Sequence, residues 1–515
     1  MIVSTTSGRI QGYVDDGVMN FRGVPFAAST GGARRFLPPA PPPSWDGVRP
    51  CVENGPVCPQ ASVSSERYAV VGERSEDCLN LNVWTTGVED EPKPVLIFFH
   101  GGGYMSGAGS VAVYDCSKYA KRGMVCVTAN YRLAQLGFLY LDELFPDLQS
   151  TANLGLLDAQ RSLEWIAENI AAFGGDPNRV TISGSSAGGG VVVHLMGMPT
   201  ARPLFQRAIP LSIGSRNERG PAGAARLQKT GTATAAALID YLGVKPGDTD
   251  ALRAVPIEKL APGSGLYGLF AEIGVAPQTS PVPGDPFLPI PPRDAIAQGD
   301  AVGIDLMTGC AQEEFGGRRT YAVPAAEVLG IQDVPMPRPR PGAPLDLAEF
   351  VDTSLFSVAD FTARYAESLA AAGVPNEPVD IYLAALSEAT MTKATTELAI
   401  EHGAHHGNSW LFRFKWPSPA YDNALGSFHG VMTPFFFDNL DNAAWARVIG
   451  DAAPQSIADE LTASTIAFAA TGDPANPTIP TWPVATEGGR PTLVFDETTT
   501  LQSNPDGDRL ALYGL

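Results

Sequence analysis

Gly184-Ser185-Ser186-Ala187-Gly188 sets a serine between glycines two residues to either side, and that spacing selects Ser186 over Ser185 as a nucleophile. The pattern carries chemistry in one setting, a sharp turn from a strand into a helix. Small residues at the two flanking positions let the neighbouring chain pack against the strained bend. Val180-Thr181-Ile182-Ser183 reads as a short strand, and Ala187 onward, through Val193 and Leu195, reads as a helix. The hydroxyl is then exposed at the carboxyl end of a sheet, where the following helix aims its free N–H groups and positive dipole end. Without those flanks the same residues are a glycine-rich turn with surface serines.

His100-Gly101-Gly102-Gly103-Tyr104 follows the apolar run Val95-Leu96-Ile97-Phe98-Phe99. Consecutive glycines let backbone N–H groups face an open pocket without interference from Cβ atoms, which suits the oxyanion of a tetrahedral intermediate. Gly102 and Gly103, with the N–H of Ala187, are the expected donors. Read alone, the same loop could serve tight packing.

A hydroxyl is a weak nucleophile at neutral pH, so a histidine must take its proton and later hand it to the leaving group. The chain has six. His100 belongs to the glycine loop, and His194 lies two turns along the helix that leaves the serine, pointing away. His402, His405 and His406 could suggest a metal site, but a helix end capped by cationic side chains is the simpler reading. His429 remains, late in the chain within Leu425-Gly426-Ser427-Phe428-His429-Gly430. It suits the order serine, acid, histidine of α/β-hydrolases.

The elements that must hold these groups alternate along the chain. Val95–Phe99 and Val125–Ala129 are apolar throughout, as strands buried on both faces are. Leu156, Leu157, Leu163, Ile166 and Ile170 recur at helical spacing. Further strands are expected at Ala208–Leu211, Ile304–Thr308, Trp410–Phe414 and Thr492–Phe495, and Pro38–Pro43 as an extended connection. Between about 215 and 300, and from about 320 to 405, Ala-rich helical stretches alternate with Pro-rich loops such as Pro335–Pro344. These read as insertions over the sheet that shape a substrate entrance.

With 515 residues the chain exceeds what one core usually serves, although large α/β enzymes often elaborate a single sheet. Apolar residues make up 44% and charged residues 17%, which excludes a disordered chain. A net charge of −20 repels nucleic-acid phosphates and anionic membranes alike. No apolar run approaches a membrane span. The N-terminus lacks the basic start and apolar stretch of a signal peptide, so a cytoplasmic protein is expected unless a leader has been removed. Six dispersed cysteines without CxxC spacing fit neither a disulfide scaffold nor a zinc site.

Taken together the chain resembles the type-B carboxylesterases, the family of cholinesterases and bacterial p-nitrobenzyl esterases. The likeness runs through Phe21-Arg22-Gly23-Val24-Pro25-Phe26-Ala27, Ser75-Glu76-Asp77-Cys78-Leu79-Asn80-Leu81-Asn82 and Asn130-Tyr131-Arg132-Leu133. It continues in Asn153–Asp158, Phe173-Gly174-Gly175-Asp176-Pro177 and Thr471-Gly472-Asp473-Pro474. It implies an α/β-hydrolase fold: a central, mostly parallel, twisted sheet flanked by helices, with helical insertions over the active site of a single domain spanning 1–515. It also implies a catalytic acid. After Ile304–Thr308 comes Gly309-Cys310-Ala311-Gln312-Glu313-Glu314-Phe315, similar to the family's acid pair whose second member is catalytic, here Glu314. Phe315 stands where the family has glycine, so Glu313 is the alternative. The resemblance further implies a Cys58–Cys78 disulfide, reduced if the protein stays in the cytosol, and ion pairs Arg35–Glu76 and Arg132–Asp158.

The chain departs from the family pattern at three places: Ser185 before the nucleophile, Met432 after the histidine, and the segment Leu211-Ser212-Ile213 after the elbow helix. They leave the surroundings of the triad more apolar, with a shifted pH optimum expected. The function that follows is hydrolysis of small carboxylic esters through an acyl-enzyme, with no metal or other cofactor and an oligomeric state left open. The same machinery could cleave carbamates or amides. A non-catalytic interaction module of this fold would have lost triad members, and candidates for all three are kept here.

Overall fold

The computed structural model of the chain describes residues 1–515 except 62–65, 89–90, 215–218, 263–264, 316–345, 352–353, 407, 424 and 487. The Gly- and Pro-rich opening of the sequence forms short strands, β1 (Ile2–Thr5), β2 (Gly8–Gln11), β3 (Tyr13–Asp15), β4 (Val18–Pro25) and β5 (Val48–Pro50). β1, β2 and β5 make a small sheet of their own. Pro38–Pro43 has neither helix nor strand, as a run of prolines without N–H donors requires.

Two compact units divide the chain, Met1–Ile209 with Asn217–Ile304, and Pro210–Arg216 with Asp305–Leu515. In the first, β6 (Asn80–Thr85), β7 (Lys93–Phe99), β8 (Val125–Ala129) and β9 (Gly175–Ser185) join β3 and β4 in the order β9-β7-β8-β6-β4-β3. β7 runs parallel to both β8 and β9, and the remaining pairs are antiparallel. Every residue of β7 and β8 is buried, which is why both read as unbroken apolar runs. Lys93 and Thr128 are the exceptions in kind; the Lys93 ammonium donates to Thr86 Oγ1 and the Gly87 carbonyl, and the Thr128 hydroxyl to the Gly109 carbonyl.

The helix Leu154–Asn169 buries Leu156, Leu157, Leu163 and Ile166 on the face that the spacing predicts. The 215–300 segment holds the helices Gly220–Tyr241, Thr249–Arg253, Ile257–Leu260, Gly265–Ile273 and Pro292–Ala297. Both ion pairs implied by the resemblance are formed here. Arg35 grips Glu76 through two bonds of 2.7 and 2.6 Å, and Arg132 grips Asp158 through two of 2.7 Å.

All six cysteines are buried free thiols. Cys58 and Cys78 are hydrogen-bonded to each other, and that bond, with burial, holds the Cys78 thiol well above its ordinary range. The two thiols therefore lie side by side, at the pair for which the resemblance implies a disulfide.

The chain leaves the first unit along β10 (Arg207–Leu211), whose last residues, from Pro210, belong to the second. There β11 (Asp305–Ala311), β12 (Ser409–Phe414) and β13 (Pro491–Phe495) are parallel neighbours, and β14 (Thr500–Ser503) closes antiparallel on β13. Of the second proposed insertion, residues 316–345, including Pro335–Pro344, lie outside the described residues. Beyond them Val358–Ala371 and Pro378–Ser387 pack Phe361, Tyr365 and Leu369 against Ile381 and Ala385. A π-helical turn, Glu388–Thr392, then leads into the helix Lys393–His406.

A buried ionic network crosses this unit. Asp506 accepts from Arg413 at 2.9 Å and Arg509 at 3.0 Å, and Arg509 also pairs with Glu388, which takes the hydroxyl of Tyr365. Among the described residues no helix is long and apolar enough to cross a membrane.

Candidate active site

Ser186 is the single residue between β9 and the helix Ala187–Gly197, with φ +59° and ψ −125°. A non-glycine residue rarely adopts such angles, and the cost is borne because the neighbours leave no alternative path. A Cβ on Gly184 would lie 2.4 Å from the Gly188 carbonyl oxygen, and one on Gly188 would lie 2.0 Å from that of Phe99. Both glycines of the motif are therefore fixed by close backbone approach. Gly190 N–H donates to the Ser186 carbonyl at 2.9 Å and closes the first helical turn.

β7 and β9 are paired so that Phe99 faces Gly184, and the glycine loop and the elbow thus leave adjacent strand ends. Gly101 abuts the nucleophile: a Cβ there would sit 3.2 Å from Ser186 Cβ and 2.8 Å from the Ser185 carbonyl. The sequence reading singled out Gly102 and Gly103 and passed over Gly101, although the run of three glycines was its signal. Gly102 has φ +116° and Gly103 φ +64°. The Gly102 carbonyl turns back to accept from Met105 N–H at 3.0 Å and Ser106 N–H at 3.1 Å.

His100 is part of this loop's scaffold. Burial drops its imidazole pKa to about 4, so the ring is neutral near pH 7, and Nδ1 lies 2.8 Å from the Gly101 carbonyl, to which its N–H donates. The ring stacks on Tyr131, whose hydroxyl donates to the His100 carbonyl at 2.7 Å. His194 lies in the elbow helix with Nδ1 2.7 Å from the Gly190 carbonyl.

The second unit carries the other two candidates, already paired. After β11 the chain turns and Glu314 is buried, 1% exposed. Its Oε1 accepts from Ala311 N–H at 2.8 Å, and its Oε2 lies 2.5 Å from Nδ1 of His429. A second bond runs from His429 N–H to the Glu314 carbonyl, 3.1 Å. The alternative acid, Glu313, gives its carboxylate to Ser427 N–H instead, at 2.8 Å. Met432 is buried, and Ser212 is buried with φ +48°. His402 and His405 lie in the helix Lys393–His406, His402 fully buried.

The first unit thus presents a strained serine beside a glycine loop, and the second presents a carboxylate-bound imidazole. A family model described as the carboxylesterase family matches residues 1–512. The chain is 32% identical to the para-nitrobenzyl esterase of Bacillus subtilis, over 99% of this chain and 97% of that one. It is 32% identical to the phenmedipham hydrolase of Pseudarthrobacter oxydans, over 94% of this chain and 92% of that one. A crystal structure of a Geobacillus stearothermophilus carboxylesterase superposes with a TM-score of 0.81 at 31% identity, covering 99% of both chains. The expected fold class, an α/β-hydrolase with a mostly parallel sheet flanked by helices, holds. The chain belongs to the carboxylesterase family and is a carboxylic ester hydrolase.

Proposed function

We propose that Ser186, His429 and Glu314 act as one catalytic triad, with Gly102, Gly103 and Ala187 as the oxyanion hole, in a single catalytic domain. The observation that carries this reading is the backbone of Ser186, held at φ +59° on the single-residue turn between strand and helix. Ser186 Oγ attacks the ester carbonyl as its proton passes to Nε2 of His429. Glu314, bonded to Nδ1, fixes the tautomer that leaves Nε2 free to accept and stabilises the imidazolium that forms. Backbone N–H groups receive the oxyanion. The alcohol departs with the proton from His429, and water then repeats the sequence on the acyl-enzyme.

Small esters are the substrates, and no cofactor takes part in any step. The six buried thiols favour a reducing compartment, the cytoplasm.

The test is a series of p-nitrophenyl esters of rising acyl length, given to the wild type and to Ser186→Ala, with a fluorophosphonate probe followed by peptide mapping. Turnover that vanishes in Ser186→Ala and a label confined to Ser186 are expected. Equal turnover by the two proteins, or a label elsewhere, rejects the assignment.

A further inference from the structure

We propose that Glu313 is a positioning residue: its carboxylate fastens the histidine loop to the acid turn and so holds His429 against Glu314. The inference deepens the triad reading and rests on it. Besides the bond between the His429 ring and Glu314, three more tie residues 313–314 to residues 427–429. Glu313 N–H donates to the Ser427 carbonyl at 3.0 Å, Ser427 N–H donates to Glu313 Oε2 at 2.8 Å, and His429 N–H donates to the Glu314 carbonyl at 3.1 Å. Two of these are backbone to backbone. The middle one depends on a side chain.

Gly426 marks how closely that side chain is held. Its φ is +59°, and a Cβ built there would lie 1.6 Å from Glu313 Oε2. The carboxylate thus occupies the space of the side chain that residue 426 lacks. Ser427 is itself buried, and its hydroxyl donates to the Phe414 carbonyl at 2.6 Å, the same carbonyl that takes Gln312 N–H at 2.9 Å. The loop and the acid turn are thereby pinned to the end of β12 from both sides.

Burial raises the Glu313 carboxyl, with Asp380 adding to that and the Ser427 bond and Lys415 opposing it. An acceptor at this point is what the loop needs, in either protonation state. Without it Ser427 N–H is left buried and unpaired, and the loop must shift to find a partner. His429 lies two residues further on and moves with it.

The experiment compares wild type, Glu313→Ala, Glu313→Gln, Gly426→Ala and the double variant Glu313→Ala/Gly426→Ala on one p-nitrophenyl ester, with Ser186→Ala alongside. A misplacement of about 1 Å in a catalytic group costs roughly 10²-fold, so Glu313→Ala is expected to lose about 10–100-fold in kcat with KM changed less than about threefold. Glu313→Gln keeps a carbonyl acceptor and recovers most of that loss. Gly426→Ala, which displaces the carboxylate, lowers kcat in the same way, and the double variant is no worse than the poorer single one, as expected of coupled sites. Wild-type kcat in Glu313→Ala, or equal loss in the Ala and Gln variants, overturns the proposal. If Glu313→Ala does not fold, an unimpaired Gly426→Ala overturns it equally. Full turnover by Ser186→Ala would instead reject the triad, whatever the Glu313 variants do.

Discussion

Glu314 and His429 are joined twice, once through the side-chain contact of 2.5 Å and once by the histidine's own backbone N–H at 3.1 Å. The second bond fixes where the histidine backbone lies, and the first fixes how its ring is turned. A substitution at Glu314 that spares the backbone therefore isolates the electrostatic part of the pairing.

Glu314→Gln is expected to lower kcat by about 10³–10⁴-fold at neutral pH, because the amide no longer favours the imidazolium and can select the wrong tautomer. Ester hydrolysis under saturating substrate measures it, with circular dichroism as the check on folding. A loss below about tenfold would remove Glu314 from the proposed triad.

The elbow's glycines give a steric test. A methyl at residue 188 would meet the Phe99 carbonyl oxygen at 2.0 Å, whereas one at exposed Gly488 would meet nothing within 4 Å. Gly188→Ala is expected to slow fluorophosphonate labelling by about 10²-fold or more, through displacement of Ser186, and Gly488→Ala to leave it unchanged. Similar labelling rates for the two variants contradict this account of the motif.

Asp158 is fully buried and takes three bonds from Arg132, two from the guanidinium and one from the backbone N–H at 3.0 Å. Asp158→Asn leaves that guanidinium buried without its counter-charge, at an expected cost of about 3–5 kcal/mol. Urea denaturation reads this as a lower midpoint. A shift of less than about 1 kcal/mol would show the pair to be dispensable.

Glu388 gives a pH dependence with a definite sign. Burial is the main cause that lifts its carboxyl from 4.5 to about 7, against the pull of Arg509. Between those values the native chain keeps a proton that the unfolded chain has released. This contribution to stability is thus complete below 4.5 and lost as pH rises through about 7. Glu388→Gln cannot release the proton, so its urea midpoint is expected to fall less steeply than that of the wild type between about pH 5 and 8. Parallel slopes refute it.

How much of this was legible in the sequence follows from the range of each interaction. β7 and β8 are buried on both faces, so apart from Lys93 and Thr128 their residues are apolar and both strands are visible locally. Ser186 is visible because its turn demands small residues at fixed offsets. β14 was missed because Thr500-Leu501-Gln502-Ser503 is an exposed edge with no apolar alternation. The choice between Glu313 and Glu314 turns on which way two adjacent carboxylates face, and periodicity has no hold on a turn of this length. The network of Arg413, Asp506, Arg509 and Glu388 left no trace, since Arg413 reaches Asp506 and Glu388 reaches Arg509 across long separations and each reads alone as an ordinary surface charge.

That network has a bearing on how the protein is made. Asp506 follows Arg413 by 93 residues and Gln312, whose amide it accepts at 3.2 Å, by 194. A ribosome that has finished β12 has therefore produced a cation whose buried partner is still untranslated. The turn that carries Glu314 gains this one of its anchors only after Asp506 is made, and a nascent chain stalled before Asp506 carries the strands of this half without the counter-charge that locks them.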